Sequence, residues 1–440
     1  MSPSPPTRGG DPLRSLLVPR LPPHARIVIR SSRTDLRPQP TKGSAPPRRT
    51  PAPAPLRLLA VCLAFAVVSG CARIDASRRA DDPFEGIEAE VASFNAEELF
   101  ACGSAAFQAE DFHRAAVCFS RLADRFPDSP RAADAGFNAG AAYERLGAYQ
   151  LALDRFRPLL RTPPPAHDLE VTWRVATCLY HLGEYDEAIA LLEPIAERRD
   201  VAAVDRIRAR THAGVCKVEK GEYGAAEADL RKALALYRSS AAEERIESYF
   251  PSQAQFFLGE IYRIHFSEAP LDAVDDTDAM RDQLEHKAQL LLSAQGHYLR
   301  TLRLRNPHWS TAAGQRVGGL YEDLYDQMME APVPSGLDAE QADLYRAMLR
   351  RKVRVLVQKA ISIYERTLSA AERTGVSSAF IDQTRDSLER MKQVLLSDAA
   401  RDEADGVEDD PDLGPSSGED GASPDLVRAG APLTGPSAAP

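Results

Sequence analysis

The chain has 440 residues, 44% hydrophobic and 27% charged, with a formal net charge of −10. The charge is unevenly divided: residues 1–55 hold ten basic side chains against two acids and Arg57 adds one more, which leaves residues 71 onward at −19. A surface that acidic lacks the clustered Lys and Arg that neutralise phosphate, so nucleic acid is excluded as an expected partner, and the length allows two or three ordinary domains or one elongated repeat array.

Residues 1–55 contain 14 of the 33 prolines and show no helical or alternating pattern. Such a stretch cannot bury enough apolar surface to offset its ordering entropy, so it is predicted to be a disordered leader, or a stretch ahead of the true translation start. Residues 56–70 read differently. After Leu56-Arg57 the run from Leu58 to Gly70 is uncharged. As a helix it spans about 20 Å, short of the ~30 Å hydrocarbon core, which fits the apolar stretch of a signal peptide flanked by Arg48, Arg49 and Arg57. A short buried helix and an ordinary secretory signal are the other readings. The run ends in Val68-Ser69-Gly70-Cys71, which resembles the bacterial lipobox. That resemblance implies cleavage before Cys71, diacylglycerol on its thiol and acylation of the freed amine. With Ala72 rather than an aspartate next, it also implies the outer membrane. Residues 71–94 then read as a tether.

A period begins after residue 95. GSAAFQAEDFHRAAVCFSRL from Gly103, GAAYERLGAYQLALDRFRPL from Gly140, ATCLYHLGEYDEAIALLEPI from Ala176 and GVCKVEKGEYGAAEADLRKA from Gly214 align at offsets of 37, 36 and 38 residues. Each has a turn position (Glu110, Gly147, Gly183, Gly221), then an aromatic (Phe112, Tyr149, Tyr185, Tyr223). An alanine follows (Ala115, Ala152, Ala188, Ala226), then a bulky residue (Phe119, Phe156, Leu192, Leu230). The glycine allows a tight connection, the alanine lets the second helix lie close to the first, and the bulky residue is expected to fill the gap between units. Pro127 and Pro164 stand where helices should stop. The pattern resembles the tetratricopeptide repeat, which implies an all-α fold, a tetratricopeptide-type α-solenoid of stacked helical hairpins with disordered N- and C-terminal segments. Four units occupy residues 95–240.

Residues 241–397 are expected to form degenerate hairpins and capping helices. PSQAQFFLGEIYRIHF with Gly259 and Tyr262 looks like a first helix, and an acidic insert, AVDDTDAM, interrupts. A long helix over 281–305 then ends at Asn306-Pro307, and another carries Gly318 and Tyr321 up to Pro332 and Pro334. A helix from about Asp338 to Arg373 places Leu344, Met348, Val355, Ile361 and Leu368 on a drifting apolar face, and the last runs from about Ser378 to Leu396. Residues 398–440 read as an acidic disordered tail.

No HExxH, CxxC or GxxxxGK[ST] pattern occurs. Gly414-Pro415-Ser416-Ser417-Gly418 satisfies GxSxG, but a nucleophile elbow needs a strand before it and a helix after. No catalytic residue, metal or cofactor is therefore expected. Cys102, Cys118, Cys178 and Cys216 fall within repeat helices, where small buried hydrophobes are the favoured reading, although Cys102 and Cys118 share one unit and could pair in an oxidising compartment.

In the repeat family the first helices of successive units line a concave groove. By that resemblance Phe100, Phe107, Phe137, Trp173, Tyr180 and Phe256 form an aromatic row for protein or peptide ligands. Mixed groove charges (Glu97, Asp134, Glu144, Arg145, Glu170, Arg208, Glu260, Arg263) argue against a clamp for a C-terminal carboxylate. Residues 95–238 resemble tetratricopeptide lipoproteins of Gram-negative envelopes, including that of the outer-membrane β-barrel assembly machine. The implied function is a scaffold facing the periplasm, held to the membrane through acylated Cys71. A part of an export or gliding-motility complex, a cytoplasmic regulator and a peptidoglycan-acting enzyme remain as alternatives.

Overall fold

The computed structural model describes residues 84–161, 163–165, 168–240 and 246–404. The leader, the signal with Val68, Ser69, Gly70 and Cys71, and the tail past residue 404 lie outside the described residues. Every regular element among the described residues is helical, without a strand, and none of these helices is long and apolar enough to cross a membrane. The chain divides into two compact units, one ending at Ile261 and the other beginning at Tyr262.

Unit 1 opens with a short helix, α1 (Glu85–Glu90), inside the stretch expected to be a tether. It is docked: Arg114 donates to both carboxylate oxygens of Glu90, at 3.0 and 2.6 Å, Arg121 donates to the Ala92 carbonyl, and Val91 is buried. Four hairpins follow. They are α2 (Ala96–Gln108) with α3 (Phe112–Arg125), α4 (Ala132–Arg145) with α5 (Tyr149–Phe156), α6 (Glu170–Leu182) with α7 (Tyr185–Glu197), and α8 (Ala203–Glu219) with α9 (Tyr223–Ser240). Each helix packs on the next in the chain. α10 (Tyr249–Glu268) contains the division between the units.

The repeated positions have the geometry their chemistry requires. At the turns φ is +60° at Glu110, +71° at Gly147, +82° at Gly183 and +78° at Gly221. All four are left-handed, a conformation that only glycine adopts without steric cost. The four alanines are fully buried. The bulky residues, expected between units, also pack against the first helix of their own hairpin, and Leu192 does both, sharing a core cluster with Trp173 and Ala176 and with Ala209 and Ala213 of the next hairpin. A Cβ added at Gly103 would lie 2.8 Å from the Phe119 ring, one at Gly140 2.6 Å from Phe156, and one at Gly214 2.9 Å from Leu230. The reason is the facing glycine or alanine, which leaves a hollow one turn deep for the side chain opposite. Cys102 and Cys118 join α2 to α3 as a disulfide, so the favoured reading of two separate buried thiols is corrected, while Cys178 and Cys216 are free and buried.

Unit 2 contains longer helices: α11 (Thr277–Arg303), α12 (Pro307–Glu330), α13 (Ala339–Thr374) and α14 (Ala379–Ala404). The starts of α11, α12 and α13 are capped by side chains. Asp276 accepts from the Ala279 amide, Asn306 from Trp309 ahead of Pro307, and Asp338 forms a capping box with Gln341. Thus α11 begins inside the acidic insert. The end of α10 is closed by Lys287, almost fully buried, whose Nζ donates to the Phe266 and Ala269 carbonyls, each at 2.7 Å.

The apolar face of α13 differs from the expected one. Leu344, Met348 and Val355 are 58, 50 and 56% exposed, whereas Val353, Val357, Ala360, Tyr364 and Ala371 are buried. Small residues on α12 decide this: Gly318 receives the Tyr364 ring and Gly314 receives Thr367. Likewise α14 continues to Ala404 rather than ending near Leu396. Asp398, assigned from the sequence to the tail, is buried and accepts a hydrogen bond from Tyr325 at 3.2 Å.

Candidate functional site

In unit 1 the first helices of the first three hairpins, α2, α4 and α6, carry an aromatic at a recurring place, where α8 has Thr211, and an arginine from the next hairpin lies over each of the three rings. Arg131 stands 4.3 Å above the Phe100 ring, Arg174 5.9 Å from Phe137, and Arg208 4.4 Å above Trp173. Arg208 also faces Phe250 of α10 at 5.3 Å. A guanidinium over a ring is attracted by the ring quadrupole, by about 0.5–2 kcal/mol depending on desolvation. The signal was present in the sequence as arginines roughly one repeat after each aromatic, but covering a ring is a relation between hairpins that no single helix displays.

This cover changes the character of the expected aromatic row. Phe100, Trp173, Tyr180 and Phe256 are buried, and Phe107 and Phe137 are half-buried. Tyr180 donates to Glu219 at 2.8 Å, Phe107 meets Phe112 edge-on, and Phe256 meets Phe257 in the same way. The face is therefore a polar lattice laid over aromatics.

Arg174 is the centre of that lattice. It donates to Glu144 of the preceding hairpin at 2.7 Å and to Glu170 one turn before it at 2.9 Å. Burial raises the Glu144 carboxyl to about 7 although Arg174 pulls the other way. Burial pulls the Arg208 guanidinium down to about 10, and it holds the neighbouring His212 imidazole down at about 3, with the Arg208 charge adding to the effect. At neutral pH this leaves Arg174 and Arg208 charged, Glu144 only partly ionised and His212 neutral beside Arg208. Of the other groove charges, Glu97 pairs with Arg131 at 3.3 Å and Arg145 lies 4.9 Å from the Phe112 ring.

Beside Phe137, between α4 and α6, is a cavity of about 260 Å³. Phe137, Leu159 and Val171 supply apolar walls, and Asp134, Glu170 and Arg161 supply charge. A second cavity, about 540 Å³, lies among α7, α8 and α9 and is crossed by ion pairs: Asp229 accepts from Arg210 at 3.1 Å and from Lys217 at 2.6 Å. Burial raises the thiols of both free cysteines, Cys216 to about 12, so neither is a thiolate at neutral pH. Among the described residues no group of His, Cys, Asp and Glu is placed to hold a metal ion.

Residues 168–239, the span of α6 to α9, match the tetratricopeptide repeat. No characterised protein matches the chain by sequence. Among solved structures, the apo form of RapI is similar at 12% identity and a TM-score of 0.36, over 70% of this chain and 99% of that one. A tetratricopeptide repeat protein from Parabacteroides merdae is similar at 15% identity and a TM-score of 0.33, over 69% and 98%. The human IFIT1 dimer with m7Gppp-AAAA is similar at 15% identity and a TM-score of 0.31, over 76% and 71%. The chain is all-α, and α2 to α9 are stacked hairpins of the tetratricopeptide type. Such hairpins form an interaction scaffold, and no catalytic family matches.

Proposed function

We propose that this protein is a lipid-anchored scaffold that holds a segment of a partner protein against the first-helix face of unit 1, within a bacterial envelope complex of the outer-membrane assembly type. The observation that carries the reading is the cavity beside Phe137. It offers an apolar seat the size of one large side chain, with charges of both signs at its rim, on a face stiffened by Arg174 and its carboxylates. Pockets of that kind anchor peptide side chains because desolvation occurs inside and orientation is set at the edge.

Two features support the compartment. The Cys102–Cys118 disulfide suits an oxidising environment, and the Val68-Ser69-Gly70-Cys71 sequence suits acylation. From Cys71 the chain to Phe84 can extend at most about 45 Å, so an anchored chain would hold the first hairpin within that distance of the bilayer.

A photo-crosslinking residue at position 137, with one at exposed Leu151 as control, tests the site in intact cells. The expected result is a discrete protein adduct from 137 that is absent from 151. Equal adducts from both positions would remove the docking reading. Acyl-chain labelling that disappears in Cys71→Ala tests the anchor, and an unlabelled parent protein would rule it out. Adducts with export or motility components instead of assembly components would favour the second envelope reading.

A further inference from the structure

Unit 2 contains a groove of about 810 Å³ whose floor is α12 and whose walls are α11 and α13. Gly314, Val317 and Tyr321 recur along one side of α12 and make an apolar floor about 20 Å long from Pro307 to Tyr321. On the α11 wall, Leu299 and Leu302 remain 42 and 37% exposed. On the α13 wall stand Lys359 and Arg366, and Arg305 stands at one end. No acid lines the groove, and among the described residues no carboxylate pairs with these three cations. Lys359 is instead 5.0 Å from the Tyr321 ring. An apolar trough with one cationic wall and no internal counter-charge fits an acidic, partly apolar strand of chain.

Such a segment begins where the described chain ends. Residues 405–413, DGVEDDPDL, contain five acids and no base, with Val407 and Leu413 as apolar positions. Arg354 of α13 pairs with Asp402 of α14, which fixes the end of α14 beside the start of the cationic wall. Along α13, Lys359 lies about 8 Å and Arg366 about 18 Å beyond Arg354. Residues 405–413 reach about 30 Å when extended, enough to turn around α13 and lie along both cations. A tether this short also gives an effective concentration of order millimolar, so weak ion pairs suffice for occupancy.

We propose that residues 405–413 bind in cis in the groove between α11, α12 and α13, with their carboxylates on Lys359 and Arg366 and with Leu413 towards the leucine wall.

The full chain with a photo-crosslinker at Leu413 tests this. Adducts are expected within one molecule, in residues 299–317 and 359–374. They should fall about tenfold in Lys359→Glu/Arg366→Glu and weaken with salt. They should return when Asp409→Lys/Asp410→Lys is added to that variant, a recovery that misfolding could not produce. Adducts elsewhere in the chain, adducts between two copies, adducts with another protein in place of the groove, or indifference to charge reversal would each overturn the proposal.

Discussion

Gly140 and Phe156 are a matched pair: the ring occupies the volume that a Cβ on residue 140 would need, with 2.6 Å between them. The third hairpin solves the same contact with Ala176 facing Leu192, both buried. Gly140→Ala should therefore cost about 1–3 kcal/mol through overpacking, and Gly140→Ala/Phe156→Leu should recover part of that loss. Denaturant midpoints of the four proteins in the cycle measure the coupling. A double variant no more stable than the sum of the singles would show that the two residues act independently.

Glu110 is the one turn position without glycine, and it holds φ at +60°. Replacing it by glycine removes the clash between Cβ and the following carbonyl, which should stabilise the first hairpin by about 1 kcal/mol. Amide exchange in α2 and α3 should slow. If exchange were unchanged or faster, the gain in backbone freedom of the unfolded chain would have outweighed the relief.

The disulfide closes a loop with a sequence separation of 16. For a loop of that size the loss of unfolded-state entropy stabilises by about 3 kcal/mol. Cys102→Ala/Cys118→Ala should lower stability by that order. Reductant should do the same to the parent protein and leave the variant untouched. Parent protein insensitive to reductant would mean that the two thiols are not joined in solution.

Glu144 sets a pH dependence of defined sign. Its folded carboxyl titrates near 7, above the ordinary value of 4.5, so the folded protein binds a proton that the unfolded chain releases. The stability it contributes is complete below about pH 4.5 and is lost as pH rises to about 7. Relative to Glu144→Gln, the parent should thus lose at most about 3 kcal/mol across that window. His212, held down at about 3, acts oppositely and loses stability as pH falls below 6.5, so the comparison must be made between parent and variant at each pH. A flat difference between the two melting curves would contradict the assignment to Glu144.

The repeat was legible because its signals are local. A turn glycine, an alanine and a bulky residue recur within one hairpin, and Asn306-Pro307 and Asp338 cap their helices from the neighbouring sequence. What was hidden depends on partners distant in the chain. The arginines over Phe100, Phe137 and Trp173 belong to the next hairpin, so the row looked open. The face of α13 was misread because this helix packs against α12 and α14 at once, and no single apolar stripe serves both. Its true signal lay on α12, in Gly314 and Gly318 spaced one turn apart to receive Thr367 and Tyr364. The end of α14 was placed too early because Asp398 is charged, yet within the fold Tyr325 donates to one of its oxygens and Arg350 and Arg401 lie within ion-pair distance of the other.

The covalent link from Cys102 to Cys118 also has a mechanical meaning. Tension applied at the amino-terminal end would peel α1 and the first turns of α2, then pass straight through the sulfur bridge into α3 without stretching the turn at Glu110. Peeling would resume only beyond Cys118, so the link acts as a stop between a leash and the hairpins that follow. A stretching trace of the oxidised protein should be shorter than that of the reduced protein by the contour length of the bridged segment, about 55 Å.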